Sequence, residues 1–538
     1  MRRRGVRITG AALAVALLLA GCTDSGGSTD SGDAGPKPAP PTVTVPTGPP
    51  AAAAAALGPT GPSTAAPCRG TSIAVGADPQ RVIDSRPAGT TYCFAPGVHR
   101  IARPIEPRDG DTFGGGAGAV LTGSVPVTEW SREGSTWAAR GVLPAAYPLK
   151  GQCEDNRTNP CQLGEQLFLG GVHLNRVMSL DELKPGTFFG DYATNALYVA
   201  DDPTGNPTGN PAGNPAGKAD ATPAANPVGK PAELSRTTTA FARGAQRVTV
   251  TGLTIEHFAS RPQGGALEAG PGWRVTGNEV RWNHGVGVML IEADGAEAVR
   301  NTIADNGQLG LGQYKSADVR VTANLVTRNN TDGFWIADWE SGGIKSTRSS
   351  GEISGNDVVA NRGVGIWSDI AEYDRRISAN RIRDNAADGI RYEISYAGVI
   401  EKNVVEGNGF GTGRGSGGSL WDGGGINVNT SSDVQVRGNL VKDNRNGISI
   451  QSRTRGEGPR GRYVLSNVVV EGNLIVLGGP AASTGVVENK GSPTQSGAVT
   501  FRRNSYQLPT STRFGYRGKE LSWPQWQEAG FDQDSVKS

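Results

Sequence analysis

The sequence predicts an all-β protein: a right-handed parallel β-helix with a small β-sandwich inserted near the N-terminus. Asparagines recur in pairs five residues apart, and the pairs return most often after 23 or 24 residues, the length of one solenoid coil. Apolar residues flank the first asparagine of each pair at alternating positions, so the repeating elements are strands. The pairs are Asn278/Asn283, Asn301/Asn306, Asn324/Asn329, Asn356/Asn361, Asn380/Asn385, Asn403/Asn408 and Asn439/Asn444, and Asn473 has the same context.

Asparagine suits the corner of a coil because it tolerates a tight bend and can hydrogen-bond the asparagine of the next coil. The coils would stack about 4.8 Å apart, the usual spacing of paired strands. Residues 23 or 24 apart in the sequence would then be neighbours in space.

Residues 1–22 have the pattern of a lipoprotein signal peptide. A basic start precedes an apolar run, residues 8–20, that is too short to span a bilayer. The run closes on Leu-Ala-Gly-Cys22, which resembles the bacterial lipobox. Cleavage before Cys22 would leave a lipid on that residue and anchor an extracytoplasmic protein to the cell membrane. The alternative is an ordinary secreted protein.

The cysteine count agrees with lipidation. Five cysteines are an odd number for an exported protein, and removing Cys22 leaves four. In an oxidising compartment we expect disulfides between Cys68 and Cys93 and between Cys153 and Cys161, each pair being close in sequence.

The domain organisation follows from composition and from the asparagine period. Residues rich in Ser, Gly, Thr, Pro and Ala cannot bury a core and form a tether, whereas short strands between Gly and Pro turns indicate the inserted sandwich. The predicted parts are the tether at 23–66, a first coil at 67–110, the sandwich at 111–240 with a low-complexity loop at 203–231, the repeats at 241–505 and a C-terminal cap at 506–538.

Three longer intervals between asparagines indicate loops inserted at coil corners, at about 341–351, 410–423 and 452–462. Such insertions gather on the binding face of solenoids. Glu372, Asp374, Arg375 and Arg376 follow Asp369 into a turn and are expected to be solvated.

The strand after each asparagine pair can be aligned on its leading glycine, giving residues 310–314, 333–337, 365–369, 389–393 and 425–429. Alternation sends one set of side chains inward: Leu311, Phe334, Ile366, Ile390 and Ile426. Two sets point outward, of which one is Gly312, Trp335, Trp367, Arg391 and Asn427, and the other is Tyr314, Ala337, Asp369, Glu393 and Asn429.

Asp369 and Glu393 would lie side by side on the outer face, about 5 Å apart, near the carboxyl separation of retaining glycosidases. Two close carboxyls shift each other's pKa, leaving one ionised nucleophile and one protonated acid. Exposed Trp335 and Trp367 would offer flat faces to sugar rings. Isolated surface carboxylates are usually only solvated, but adjacent ones are rarer because they destabilise a sheet.

Further candidates for substrate contact surround this pair. Arg391 lies in the same outward row, and Asp338, Glu340 and Lys345 lie at the mouth of the first inserted loop. Glu340 and Lys345 could instead form a salt bridge that fixes the loop.

The motifs Gly-Ile-Trp-Ser-Asp369 and Tyr-Glu393-Ile-Ser-Tyr396 resemble those of β-helix glycoside hydrolases, notably the family 120 β-xylosidases. The resemblance implies a pectate-lyase-like helix with an inserted β-sandwich, Asp369 as nucleophile, Glu393 as acid/base and Tyr396 in the site. It extends to residues 340–345 and departs from the family pattern at Ser368 and at residues 370–371.

Other chemistry has weaker support in the sequence. A net charge of +2 with mixed signs gives no argument for nucleic acid, and four scattered histidines give none for a metal or cofactor. A polysaccharide lyase or uronate epimerase would need Lys345 or Arg391 as base, with Ca²⁺ as a possible neutralising ion. A non-catalytic protein that binds cell-wall glycan is a third alternative.

Overall fold

The computed structural model describes residues 68–145, 151–203, 231–337, 339–411, 423–478, 483–488 and 492–538. The predictions for Cys22, the signal peptide, the tether, Asp338 and nearly all of the loop 203–231 lie outside these residues. Within the described parts, no helix is both long and apolar enough to cross a membrane.

The predicted parallel β-helix is confirmed. Three long sheets run along it, and successive coils add parallel strands to each sheet in register, except for an antiparallel last strand in the third sheet. Sheet I contains Thr71–Ile73, Thr91–Phe94, Thr112–Gly115, Thr249–Thr251, Arg274–Thr276, Glu297–Val299, Val319–Thr322, Gly351–Ser354, Arg375–Ser378, Tyr396–Glu401, Ser432–Arg437, Val468–Glu471 and Val499–Arg502.

Sheets II and III complete each coil. Sheet II contains Gly97–Arg100, Ala119–Thr122, Thr254–Glu256, Glu279–Arg281, Thr302–Ala304, Leu325–Thr327, Asp357–Val359, Arg381–Arg383, Val404–Glu406, Leu440–Lys442, Leu474–Val476, Ser505–Gln507 and Val536–Lys537. Sheet III contains Gly265–Ala269, Val286–Ile291, Leu309–Tyr314, Gly342–Thr347, Val364–Asp369, Ile390–Glu393, Gly424–Asn429, Asn446–Ser452, Ser483–Glu488, Arg513–Tyr516 and Lys519–Leu521.

The asparagine ladders form as predicted. Asn380 is fully buried; its amide nitrogen donates to Asn403 Oδ1 at 3.0 Å and to the Ile353 carbonyl at 2.9 Å. Its oxygen accepts from the backbone and side-chain nitrogens of Asn356, both at 2.9 Å. Each asparagine therefore satisfies backbone groups at a corner where no strand partner does so.

Asn380→Ala should destabilise the protein by about 1–3 kcal/mol, because it leaves buried donors and acceptors without partners. The free energy of unfolding from urea titration measures this. Gln435→Ala is the matched control, since Gln435 is an exposed amide on sheet I and its loss should cost under about 0.5 kcal/mol. Equal destabilisation by both variants would contradict a structural role for the ladder.

The C-terminal segment lies against the last coils. Helix Trp523–Glu528 places Trp526 in the core, stacked on Phe531 with ring centroids 4.2 Å apart. Asn504, which the sequence analysis did not include, extends the ladder beyond Asn473 and donates to Asp532 at 2.9 Å. The other helices among the described residues are the α-helix Pro79–Asp84 and the 3₁₀ turns Pro160–Gln162 and Leu180–Glu182.

The inserted region forms one eight-stranded sheet between residues 124 and 235, narrower than the predicted 111–240 because Thr112–Gly115 and Ala119–Thr122 are strands of the β-helix. Its order is Ser124–Val127, Ala232–Ser235, Leu167–Leu169, Val172–Val177, Thr187–Asp191, Ala196–Val199, Thr136–Arg140 and Ser131–Glu133. Val172–Val177 pairs antiparallel with one half of the sheet and parallel with the other. Side chains from both halves, such as Leu167 and Phe188, share one buried cluster, so the sheet packs upon itself.

Both predicted disulfides, Cys68–Cys93 and Cys153–Cys161, are present. The second lies against the outer side of the β-helix. Cys153 forms an isolated antiparallel bridge with Trp335, and the Glu154 amide donates to the Phe334 carbonyl at 2.7 Å.

This contact explains why the predicted alignment of residues 333–337 is wrong. Trp335 in that segment pairs with Cys153, and the segment is not part of sheet III. The sheet III strand is Gly342–Thr347, which puts Lys345 opposite Gly312 and Trp367, and Ile344 in the inward position assigned to Phe334. The insertion therefore precedes this strand, where the sequence analysis placed it after residue 341.

Candidate active site

Asp369 and Glu393 lie side by side on the outer face of sheet III, as predicted. Their strands, Val364–Asp369 and Ile390–Glu393, are parallel neighbours with these two residues in register. Ile366 and Ile390 alternate with them and fill the interior, which fixes the carboxyls on the opposite face. Both residues are less than 10% exposed, so other parts of the chain shield them from solvent.

Lys345 is the ionic partner of Asp369. Its ammonium is 2.9 Å from Asp369 Oδ2 and 3.5 Å from Glu340 Oε1. Burial opposes its charge, but the neighbouring carboxylates outweigh this effect and raise the pKa of Lys345. Lys345 therefore stays protonated beside Asp369. The ion pair with Glu340, weighed as an alternative to substrate contact, is present.

The second carboxyl oxygen of Glu340 has a partner as well. The Gln263 side-chain nitrogen donates to Glu340 Oε2 at 2.6 Å. The Gln263 backbone in turn donates to Gln308 at 2.8 Å, so two earlier coils orient Glu340. Sequence reasoning missed Gln263, which carries no recognisable motif.

Glu393 has different surroundings. Asn429 donates to Glu393 Oε1 at 3.1 Å, and Arg455 donates to the same oxygen. Burial and the charge of Asp369 raise the pKa of Glu393, against the opposing effect of nearby arginines. Of the two carboxyls, Glu393 is thus the one suited to carry a proton.

The expectation of two exposed tryptophans one coil apart is wrong. Trp335 is 1% exposed and packs on the Cys153–Cys161 disulfide and on Trp339, with centroids 5.4 Å apart. Trp367 is 4% exposed because cations from both neighbouring strands approach its ring. Lys345 Nζ is 3.5 Å and Arg391 Cζ is 4.9 Å from the ring centroid.

Trp367 therefore positions charges and presents little surface to a sugar. Arg391 is fixed by Asp388, whose Oδ2 lies 2.6 Å from Arg391 Nε. Asp388 also accepts from the Gly424 amide at 2.8 Å. The row of Lys345, Trp367 and Arg391 is thus rigid along one side of the carboxyl pair.

Tyr396 begins a sheet I strand and is not on the same face as Glu393. Its hydroxyl donates to the Gly461 carbonyl at 2.7 Å, and its ring packs on Tyr463 at 5.5 Å. It anchors a two-stranded hairpin, Glu457–Gly458 with Gly461–Arg462, inside the predicted insertion at 452–462. This insertion does lie beside the site. Sequence reasoning missed its Arg455, because the repeat pattern does not show in which direction an inserted loop folds.

An ion pair lies inside the β-helix behind the site, contrary to the expectation that Glu372 and Arg375 are solvated. The two side chains are fully buried and 2.7 Å apart. Ser346 donates to Glu372 at 2.9 Å, and Arg375 donates to Gln313 at 2.9 Å. Ile370 and Ala371 both adopt left-handed backbone conformations, which turn Glu372 into the interior.

The described residues include no cluster of three or more His, Cys, Asp or Glu side chains placed to hold a metal ion. The arrangement offers instead a carboxyl group with a lysine partner beside a second carboxyl group whose raised pKa suits it to carry a proton. Such a pair can attack a carbon atom and protonate a leaving oxygen in the same step.

Comparison with known proteins supports the fold. A family profile described as "Right handed beta helix region" matches residues 264–425. No curated protein sequence is significantly similar to the chain.

Several solved structures are similar in fold. XylC in complex with xylose shares 14% identity over 85% of this chain and 82% of its own, with a TM-score of 0.60. The AlgE6 A-module, a mannuronan C-5 epimerase of Azotobacter vinelandii, shares 13% over 85% and 92%, with a TM-score of 0.41. The catalytic unit of a GH87 α-1,3-glucanase from Streptomyces thermodiastaticus shares 12% over 84% and 70%, with a TM-score of 0.38. At these identities the likeness shows the fold alone.

Proposed function

We propose that this protein is an extracytoplasmic glycoside hydrolase that acts with retention on a polysaccharide or oligosaccharide. The observation that carries the proposal is the register of Asp369 and Glu393, two buried carboxyls with different partners. The two disulfides agree with an oxidising compartment. Sharing a fold with XylC, which was solved with xylose, makes a xyloside the first substrate to test.

In the first half-reaction, an Asp369 oxygen attacks the anomeric carbon while Glu393 gives its proton to the leaving oxygen. Lys345 occupies Asp369 Oδ2, so Oδ1 is the attacking atom. In the second half-reaction, Glu393 takes a proton from water, and the water oxygen displaces Asp369 from the anomeric carbon. The sugar ends with its original configuration.

The surroundings of the basic residues favour hydrolysis over lyase or epimerase chemistry. Those reactions need an unprotonated base, whereas the carboxylates around Lys345 raise its pKa. Arg391 is bound to Asp388 and has the high intrinsic pKa of any guanidinium.

A panel of 4-nitrophenyl glycosides that includes the β-D-xyloside tests the proposal, with uronate polymers as the second arm. Release of nitrophenol with a retained anomer by NMR is the expected result. New absorbance at about 235 nm from a uronate polymer would assign the lyase instead. Binding of glycans without turnover of any substrate would assign the non-catalytic function.

Membrane anchoring through Cys22 is part of the proposal. Cys22→Ser should move the protein from the membrane fraction to the soluble fraction without changing its thermal unfolding, because the described fold uses other cysteines. Immunoblots of the membrane and soluble fractions measure the distribution of the protein. Only the form from which the signal peptide has been cleaved is compared, because an uncleaved signal peptide would itself hold the protein at the membrane. A processed variant that still sediments with membranes would contradict lipid anchoring.

A further inference from the structure

The insertion at residues 452–462 folds back beside Glu393. Tyr396 fixes its far end through Gly461 and Tyr463. At its near end Arg455 donates to Glu393 Oε1, and the two side chains are 27% and 10% exposed. This contact joins an inserted loop to the residue proposed as acid and base.

The charges that face Glu393 come from several elements. Asp369 faces it from the preceding strand and Arg391 from its own strand, while Arg453 and Arg455 approach from the insertion. Lys345 lies farther along the sheet, and the following strand contributes the neutral Asn429. Burial and the negative charge of Asp369 both favour the protonated form of Glu393. The positive charges of the arginines favour its ionised form.

The proposed reaction changes this balance midway. Once Asp369 is esterified to the sugar it is neutral, so its effect on Glu393 disappears while the arginines remain. Arg391 is bound to Asp388 and Arg453 to Gln451. Arg455 donates directly to Glu393 Oε1.

We propose that Arg455, whose charge remains when Asp369 becomes neutral, makes Glu393 a proton acceptor in the second half-reaction. The inference rests on the proposed function. In the second half-reaction, water gives one proton to Glu393 and its oxygen bonds to the anomeric carbon. The bond from that carbon to Asp369 breaks, and Asp369 leaves as a carboxylate beside Lys345. Arg455 holds Glu393 in the ionised form that can accept this proton.

The first test needs no substrate. Isotope-edited infrared spectroscopy follows the titration of Glu393, with the Glu393→Gln spectrum identifying its band. Arg455→Gln should raise the pKa of Glu393 by about one pH unit, because it removes an adjacent opposite charge. Arg455→Lys, which keeps the charge, should shift it much less.

Arg460→Gln is the matched control. Arg460 lies on the same insertion, 3.9 Å from the centroid of the Tyr373 ring, and its ion pair is with Asp374. It should leave the titration of Glu393 unchanged. An unshifted titration in Arg455→Gln overturns the inference, whether or not the protein hydrolyses glycosides.

The second test separates the half-reactions. 2,4-Dinitrophenyl 2-deoxy-2-fluoro-β-D-xyloside should trap the covalent intermediate, whose release is then followed against pH. At pH values below the pKa of Glu393 in the trapped form, Arg455→Gln should release the sugar about ten-fold more slowly, because a one-unit rise in pKa leaves about a tenth as much carboxylate. At higher pH the two rates should converge, and Arg460→Gln should match the wild type throughout. Equal release by all variants overturns the role of Arg455. A shifted titration without hydrolysis or trapping of any glycoside overturns the proposed function and, with it, the two-step role.

Discussion

Asp369→Asn should lower kcat on every substrate by at least about 10³-fold, the scale on which removing a covalent nucleophile acts. An amide oxygen cannot displace the leaving group and form the glycosyl ester, so the two-step route closes. The substitution keeps the shape of the side chain, and Lys345 retains Glu340 as its ionic partner. The fold should therefore survive, which circular dichroism and thermal unfolding can verify.

Asp384→Asn is the control for this experiment. Asp384 is exposed and has a left-handed backbone conformation, which asparagine tolerates. The activity of the Asp384→Asn variant should therefore stay close to that of the wild type. A 2-fluoro glycoside should label the wild-type protein, and mass spectrometry of peptides should place the label on Asp369. A label on another residue, or more than a tenth of the activity left in Asp369→Asn, would refute the assignment.

The period of the sequence was sufficient to predict the stack and its register at the site. Asn356, Asn380 and Asn403 are separated by regular intervals, so counting along the chain placed Asp369 beside Glu393. The same regularity predicted the buried asparagine ladder. Local pattern decides these features, because each coil contacts mainly its neighbours.

The register failed where a coil is longer. Residues 333–337 and 343–347 both begin with a glycine followed by a large apolar residue, so pattern alone does not choose between them. The choice depends on Cys153, about 180 residues earlier, which pairs with Trp335 and leaves Gly342–Thr347 for the sheet. This long-range contact made Lys345, and not Trp335, the neighbour of Trp367.

Burial was the other source of error. A solenoid face was expected to expose Trp367 to a sugar, yet Lys345 and Arg391 lie against its ring. Glu372 and Arg375 were expected in solvent, yet they pair in the interior, where each charge offsets the desolvation of the other. Charge pairing of this kind depends on side-chain direction in turns, and the repeat period does not encode it.

Glu393→Gln should produce a loss that depends on the leaving group, which distinguishes an acid/base from any structural residue. Substrates with poor leaving groups need a proton in the first half-reaction and should lose at least about 10²-fold in kcat/KM. A 2,4-dinitrophenyl glycoside needs almost no protonation, so its first step should proceed and the glycosyl ester should accumulate. Burst kinetics measure both effects.

Azide supplies the decisive control, since it attacks the ester without needing a base. It should restore turnover of the dinitrophenyl glycoside in Glu393→Gln and leave Asp369→Asn inactive, because only the former still makes the ester. Glu406→Gln, which removes a surface carboxylate paired with Lys442, should show neither the leaving-group dependence nor the rescue. The glycosyl azide should keep the configuration of the substrate. Inverted product would instead indicate carboxyls roughly 6.5–9.5 Å apart with a water between them, and would contradict the roles proposed for Asp369 and Glu393.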